Sequence, residues 1–253
     1  DRFIEIGKKI EAATGKKMLG IDPNDNGLIR IMMQSGGRWY FDKDGKLDIK
    51  NNPALKASLE TQAKLFRSGV VNPVSSWAEY VGAMNKGDVA TMTTGVWITG
   101  SVKAEKEQSG LWGVAPIPSL GIPGAGHASN LGGSSWYVLS SGKEKATAID
   151  FLNEIYAKDI DFYQTILKSR GAVGTLLASR TGKAYGEADP FFGGAQVWQS
   201  FSDWLSKVPS VNYGMYTYEG GAAIAAQLPA LIQGAPVDKL LDAIHQQLSA
   251  QIK

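Results

Sequence analysis

Tryptophan and tyrosine side chains lie beside short polar side chains at several places in the sequence, and this combination suits the binding of carbohydrate. Trp97 comes directly after a short apolar run that ends in glycine, within NKGDVATMTTGVW at 85–97. Tyr213, Tyr216 and Tyr218 cluster in YGMYTY, next to Asn212. A flat ring can stack on the C–H-rich face of a sugar, while sugar hydroxyls need short polar partners. These residues are therefore candidates for a ligand site.

The alternative for each aromatic residue is a place in the hydrophobic core. We prefer this alternative for the tryptophans that are embedded in apolar patterns, which are Trp39, Trp77, Trp112, Trp198 and Trp204. For Trp97 the residues alone favour neither interpretation. Trp136, which follows two glycines and two serines, stays a candidate for ligand contact.

The stretch DPNDNG at 22–27 has the first half of a calcium-loop pattern. The twelfth position of such a loop is a bidentate glutamate, and here it is Met33, so no metal site is predicted. We expect instead a loop that follows a strand and exposes Asn24, Asp25 and Asn26. Loops of this kind at the ends of strands in open α/β sheets hold polar ligands.

No motif in the sequence indicates catalysis or a cofactor. Gly132-Gly133-Ser134-Ser135 lacks the G-x-S-x-G spacing of a nucleophile elbow. The two histidines, His127 and His245, are more typical of a solvated loop and of a surface helix. There is no P-loop or dinucleotide fingerprint, and the scattered carboxylates select no glycosidase pair. We therefore predict a protein that is not an enzyme and that carries no cofactor.

Composition excludes further classes of function. The net charge of +2 and the absence of a Lys/Arg-rich run provide no field for holding nucleic acid. The absence of cysteine removes disulfides, thiol catalysis and Cys-ligated zinc. Apolar residues make up 43% of the 253 residues, which is enough for a substantial core.

Periodicity and punctuation predict an α/β protein with helix in excess. A helix over 1–14 ends at Gly15, and a hairpin turns at Asp44-Gly45. Asn52 caps a helix that has Pro53 in its first turn, and Ser75 or Ser76 caps the helix that begins at Trp77. Strands are predicted at 17–21, 89–93, 111–116 and 135–139, and later helices at 159–168, 196–206, 219–232 and 237–248.

Several segments, in order along the chain, resemble the extracellular solute-binding proteins of ABC transporters, the family that includes maltose-binding protein. NKGDVATMTTGVW is similar to the family pattern F-x-x-G-x-x-A-M-x-x-x-G-x-W. WGVAPIP at 112–118 and NLGGSSWYVLSSGKEKATAIDFLNEI at 130–155 resemble its next block. The ending IAAQLPALIQGAPVDKLLDAIHQQL resembles its C-terminal helices. The resemblance covers essentially the whole chain.

The resemblance implies a type II periplasmic-binding-protein-like fold with two α/β lobes around a cleft. Residues 1–132 and 183–253 would form the C-terminal lobe, and residues 133–182 the return segment of the N-terminal lobe. The first pass through the N-terminal lobe, on the order of a hundred residues, is then expected upstream of Asp1.

The resemblance also implies roles for individual residues. Trp97 would be a stacking platform on the cleft floor, and the loop residues Asn24, Asp25 and Asn26 would face the cleft. Gly132, Gly133 and Ser134 would lie at a hinge crossing, where small residues let a ligand approach backbone N–H groups. Tyr213, Tyr216 and Tyr218 precede a helix whose counterpart holds an aromatic ligand contact, and the resemblance does not select one of the three.

The function implied is that of a substrate-binding component of an ABC importer. It would capture a di- or oligosaccharide and deliver it to the permease subunits at the periplasmic or extracellular face of the cytoplasmic membrane. A lipid anchor on the upstream segment would hold it there, and its contact with the membrane complex would be peripheral. One alternative is a non-sugar solute such as a phosphorylated polyol, which needs a cation such as Arg30 or Arg170 at the cleft. The other is a carboxylate-dependent glycosidase.

Overall fold

The structure is a computed structural model that describes residues 1–252, and the chain divides into two compact units. Unit 1 comprises Asp1–Thr94, Pro116–Leu131 and the residues from Lys207 onward. Unit 2 comprises Gly95–Ala115 and Gly132–Ser206. The assignment of 1–132, 133–182 and 183–253 to particular lobes stays a prediction.

Helices account for most of the regular structure in residues 1–252. In unit 1, α1 to α4 come before the first crossing to unit 2, and α9 to α11 close the chain. The α-helices are α1 (Arg2–Thr14), α2 (Gly27–Ser35), α3 (Pro53–Arg67), α4 (Trp77–Asn85), α5 (Thr99–Val102), α6 (Lys145–Leu152), α7 (Ile160–Arg170), α8 (Val197–Leu205), α9 (Thr217–Ala225), α10 (Leu228–Ile232) and α11 (Val237–Gln251).

Unit 1 contains a parallel sheet of three strands, β1 (Lys17–Ile21), β2 (Val71–Pro73) and β3 (Val89–Thr91), in the order β2-β1-β3. The central strand β1 pairs Leu19 with Val71 on one side and with Thr91 on the other. Its last four residues are buried, which is typical of a parallel strand covered on both faces. The strand predicted at 17–21 is confirmed, and β3 is shorter than the predicted 89–93. β2 was not predicted, because three residues ending in proline carry no periodic signal.

Local signals in unit 1 set the ends of helices as predicted. Gly15 ends α1 with φ of 73°, a left-handed conformation that glycine adopts without strain. The Asn52 side chain caps α3 by accepting from the Leu55 N–H at 3.0 Å, and its amide donates to the Trp39 carbonyl at 2.7 Å. Ser76 caps α4. The predicted hairpin is confirmed by an antiparallel bridge between Phe41 and Leu47.

The main core of unit 1 joins its first and last segments. The side chains of α2, α3 and the hairpin pack against those of α9, α10 and α11, with Trp39, Tyr40, Leu55, Ile224 and Ile244 among the buried members. A second cluster lies between β1, β2 and α1 and includes Leu19, Val70 and Val71. The apolar stripe predicted for the last helix is therefore a core face.

The helix predicted at 219–232 is instead two helices, because Pro229 has no N–H to continue the backbone ladder of α9. The N–H of Ala226 still reaches the Ala222 carbonyl, and α10 then begins at Leu228. α9 also begins earlier than predicted, at Thr217.

Unit 2 is built mainly from helices α5 to α8 and several 3₁₀ turns. Its core cluster includes Leu167, Tyr185 and Trp198. The helix predicted at 159–168 is confirmed as α7, which Asp159 caps and Gly171 ends with φ of 65°.

The strands predicted at 111–116 and 135–139 are wrong. Neither stretch has regular structure, and the side chains of Leu111, Trp136 and Tyr137 are 77%, 64% and 85% exposed. An extended segment becomes a strand only when a neighbour satisfies its N–H and C=O groups, and neither stretch pairs with another among the described residues. The apolar residues alone therefore gave a misleading signal.

We expect opposite effects of alanine at two helical glycines of unit 1. A Cβ at Gly220 would lie 2.5 Å from the ring of Tyr40, which is fully buried, so Gly220→Ala should lower the free energy of unfolding by about 1–3 kcal/mol. A Cβ at Gly82 would meet nothing within 4 Å. Gly82→Ala should therefore raise the free energy of unfolding by about 0.5–1 kcal/mol through helix propensity. Urea unfolding measures both, and a neutral Gly220→Ala would contradict the packing described for α9.

Candidate ligand-binding site

The carboxyl edge of the sheet in unit 1 gathers the loops that follow all three strands. Because the strands are parallel, residues 22–26, 74–76 and 92–94 emerge at the same edge. From β1 the chain winds to β2 on one side and then returns to β3 on the other. This reversal makes β1 a topological switch point, the place where open α/β sheets bind ligands.

Two of the three predicted loop residues expose their side chains at this edge. The Asp22 carboxylate accepts from the N–H of Asn24 at 2.9 Å, and the Asp25 carboxylate accepts from the N–H of Gly27 at the start of α2. A Cβ at Gly27 would lie 2.6 Å from the Asp25 oxygen, so glycine is needed for this turn. Asn24 and Asp25 are exposed. The loop is therefore held by hydrogen bonds from its backbone N–H groups to the carboxylates of Asp22 and Asp25, while Asn24 and Asp25 stay exposed.

The third predicted loop residue, Asn26, contacts another part of unit 1. Its side-chain amide donates to the carbonyl of Gly221 in α9 at 2.7 Å. A Cβ at Gly221 would lie 3.0 Å from the Asn26 amide nitrogen, so the small residue permits this approach. Asn26 thus connects the loop after β1 to the closing helices.

An aromatic pair on α4, an exposed Trp77 and a partly buried Tyr80, lies at the same edge. The Tyr80 ring packs over Gly20 of β1, where a Cβ would be 3.5 Å from the ring. The Trp77 ring stacks on Tyr80 with centroids 5.7 Å apart and planes 29° apart, and Trp77 is 52% exposed. The prediction that Trp77 belongs to the core is therefore wrong. The serine cap before Trp77 was predicted correctly, but its consequence was not drawn: it places Trp77 in the first turn of α4, where the side chain is exposed.

The Tyr80 hydroxyl is held in its protonated form. Burial raises the pKa of Tyr80 to about 12, a hydrogen bond with the Thr94 side chain opposes the shift, and the nearby Asp25 charge adds to it. Tyr80 therefore connects α4 to the segment after β3 and lies near the loop after β1.

The three predicted tyrosines have different surroundings. The Tyr213 hydroxyl accepts from the Gln34 amide at 3.1 Å, and its ring meets Trp39 edge-on at 4.9 Å. Tyr216 is partly buried against the main core, and Tyr218 is 86% exposed. Tyr213 is 40% exposed, so Tyr213 and Tyr218 present ring surface to solvent.

In unit 2 the structure brings Trp97 next to the predicted glycine pair. Trp97 lies in the 3₁₀ turn Val96–Ile98 and is 41% exposed. Gly132 and Gly133 have φ of 91° and 106°, and a Cβ at Gly132 would lie 3.4 Å from Nε1 of Trp97. Ser134 follows and is exposed. Glycine at 132 therefore serves both a left-handed backbone and close packing with the indole.

Other features of residues 1–252 do not form a competing site. This part of the chain holds no group of three or more His, Cys, Asp or Glu side chains placed to bind a metal ion. The His127 ring nitrogen Nδ1 lies 2.9 Å from the Ile117 carbonyl and fixes its own loop. A surface cavity of about 360 Å³ is lined by residues 37–39, 41–44 and 210–212, which include Asn212 but neither Trp97 nor any of the three predicted tyrosines or loop residues.

The open parallel sheet with its switch point is typical of the fold class of the periplasmic-type binding proteins. Solved structures share this fold. The GacH receptor of Streptomyces glaucescens, solved unliganded and with acarbose, matches 98% of this chain and 62% of its own at a TM-score of 0.80 and 18% identity. A binding protein from B. animalis subsp. lactis in complex with beta-1,6-galactobiose matches 97% of this chain and 64% of its own, with a TM-score of 0.79 and 19% identity.

The chain belongs to the bacterial extracellular solute-binding proteins, whose family model matches residues 1–164. The family resemblance and the fold class predicted from the sequence are thereby confirmed. A lactose-binding protein of Rhizobium radiobacter is 58% identical over 253 residues, which are 100% of this chain and 60% of that protein. An arabinooligosaccharide-binding protein of Bacillus subtilis is 27% identical over 157 residues, 60% of this chain and 36% of that protein. The chain thus spans 60% or less of the length of these two relatives, and both are named as binding proteins.

We expect two neighbouring loop asparagines to differ in their effect on stability. Asn26→Ala removes the donor to the Gly221 carbonyl and should lower the free energy of unfolding by about 1 kcal/mol. Asn24→Ala keeps the backbone bond to Asp22 and should stay within about 0.5 kcal/mol of wild type. Chemical denaturation of both variants tests this. Equal stability of the two would show that the bond from Asn26 does not hold the loop.

Proposed function

We propose that this chain is part of the substrate-binding component of an ABC importer that captures a di- or oligosaccharide and delivers it to the permease subunits. The observation that carries the proposal is the 58% identity with a lactose-binding protein across every residue of the chain. The carboxyl edge of the sheet supports it independently, because aromatic faces and short polar groups are the chemistry that sugars require.

Lactose, a β-galactoside disaccharide, is the first ligand to test. Trp97 provides a partly exposed ring for stacking, and the loop residues Asn24 and Asp25 provide exposed amide and carboxylate groups for hydroxyls. Gly133 and Ser134 are proposed to offer backbone N–H groups. Of the tyrosines, Tyr213 and Tyr218 have more exposed ring surface than Tyr216, which packs on the core.

The proposed place of action is the periplasmic or extracellular face of the cytoplasmic membrane, in keeping with an extracellular family. None of the helices in residues 1–252 is long and apolar enough to cross a membrane. We propose a lipid anchor upstream of this chain, peripheral contact with the permease, and no cofactor or catalytic step.

The two alternatives have less support. A phosphorylated solute needs a cation, and the Arg30 guanidinium already lies over the Trp39 ring at 5.7 Å from its centroid. Arg170 is the last residue of α7. A glycosidase needs two carboxyl groups at a fixed separation across a pocket. The buried carboxylate Asp189 instead pairs with Lys103 at 2.7 Å and accepts from the N–H of Phe191.

The proposal predicts that lactose binds the full-length protein without being hydrolysed, and that Trp97→Ala weakens binding roughly tenfold or more, about 1.4 kcal/mol, because a stacking face is lost. Isothermal titration measures affinity, and chromatography of the bound sugar measures turnover. Trp97→Phe keeps a flat ring and should retain most of the affinity.

Three outcomes would count against the proposal. Binding of a phosphorylated polyol but of no sugar would favour the first alternative, and release of monosaccharides would favour the second. Undiminished lactose affinity in Trp97→Ala would remove the role proposed for that ring.

A further inference from the structure

The aromatic pair Trp77 and Tyr80 has no part in the roles given above, although it lies at the carboxyl edge of the sheet. Trp77 is 52% exposed, which is more than Trp97 at 41%. The large apolar face of this tryptophan is exposed to water and is not buried in the core. Such a face is useful when a ligand covers it.

The pair is rigid before any ligand binds. Ser76 caps α4 by accepting from the Glu79 N–H at 3.2 Å. The Glu79 carboxylate in turn accepts from the N–H and the hydroxyl of Ser75 at 2.7 and 2.9 Å, and these bonds lower the pKa of Glu79. The helix start is therefore fixed from both sides, as in a capping box.

Contacts of Tyr80 with the sheet hold the aromatic pair in place. Its ring rests on Gly20 of β1, and its hydroxyl is bonded to Thr94. Because Trp77 stacks on this anchored ring, its indole is held at a set angle to the sheet. A preorganised face loses little side-chain entropy when a ligand stacks on it.

Polar groups lie on the neighbouring loop at the same edge of the sheet. The Asp25 charge is close enough to Tyr80 to raise the pKa of its hydroxyl, and Asn24 is exposed on the same loop. An edge that offers a flat apolar face, a carboxylate and an amide matches a pyranose ring, which has C–H faces and a rim of hydroxyls. A protein partner would instead require a much larger apolar surface than a single indole.

We propose that Trp77, supported by Tyr80, is a second stacking platform that binds a pyranose ring of the saccharide, with Asp25 accepting hydrogen bonds from its hydroxyls. This inference rests on the proposed function, and it deepens it by assigning a stacking contact to α4. The sugar's affinity then depends on the aromatic pair of this helix.

Titration of the full-length protein with lactose tests this platform. Trp77→Ala should weaken binding roughly tenfold or more, and Trp77→Leu should weaken it similarly because it keeps apolar volume but no flat face. Trp77→Phe should recover most of the affinity. Leu111→Ala removes a side chain that is 77% exposed in unit 2 and serves as the control with unchanged affinity. Saturation-transfer NMR should show lactose C–H protons receiving magnetisation in wild type and less of it in Trp77→Leu.

The outcomes separate this inference from the function on which it rests. Lactose binding by wild type with equal affinity in Trp77→Ala and Trp77→Leu would overturn the platform and leave the proposed function standing. Unchanged affinity combined with loss of uptake in cells would likewise overturn it and indicate a protein contact at Trp77. Failure of wild type to bind lactose, beta-1,6-galactobiose or arabino-oligosaccharides would remove the proposed function itself. Thermal unfolding of each variant verifies that the compared proteins are folded.

Discussion

The parallel pairing of β1 with a neighbour on each side is the constraint on which the rest of unit 1 depends. It places β1 at the centre of the sheet, buries its last four residues and brings the loops after three strands to one edge. Each loop then contributes a different group: the Asp and Asn side chains after β1, the Trp–Tyr pair after β2, and Thr94 after β3. No single segment of the chain forms this edge, since its residues extend from Asn24 to Thr94, which are seventy positions apart in sequence.

Features governed by neighbouring residues could be predicted from the sequence. The left-handed Gly15, the Asn52 cap and the turn at Gly45 each follow from chemistry within a few residues, and all are present. The predictions of strands at 111–116 and 135–139 were wrong because a strand requires a pairing partner, and the local sequence does not indicate whether one is present. Pro229 indicated a break within the helix predicted at 219–232, since a proline between two apolar helical patterns ends the first of them, but the prediction did not use this signal.

In the candidate site, too, features set by neighbouring residues could be predicted and features set by distant residues could not. That the loop after β1 exposes Asn24 and Asp25 followed from its composition, whereas the contact of Asn26 with Gly221 joins residues 195 positions apart and has no local signal. For the tryptophans, apolar surroundings in sequence correctly placed Trp39 and Trp198 in the core but misplaced Trp77. Trp77 directly follows the cap of α4 and is exposed, so its position relative to the cap was a better guide than the hydrophobicity of its neighbours.

The bond between Asn26 and Gly221 also has a consequence for synthesis of the protein. The ribosome makes Asn26 195 residues before it makes Gly221. At about 5–20 residues per second, the loop waits roughly 10–40 s for the carbonyl that fixes it. During that interval α2 and α3 lack α9 and α11, and the apolar side chains of the main core have no cover on that face. Unit 1 therefore reaches its final form only after α9 to α11 have been synthesised.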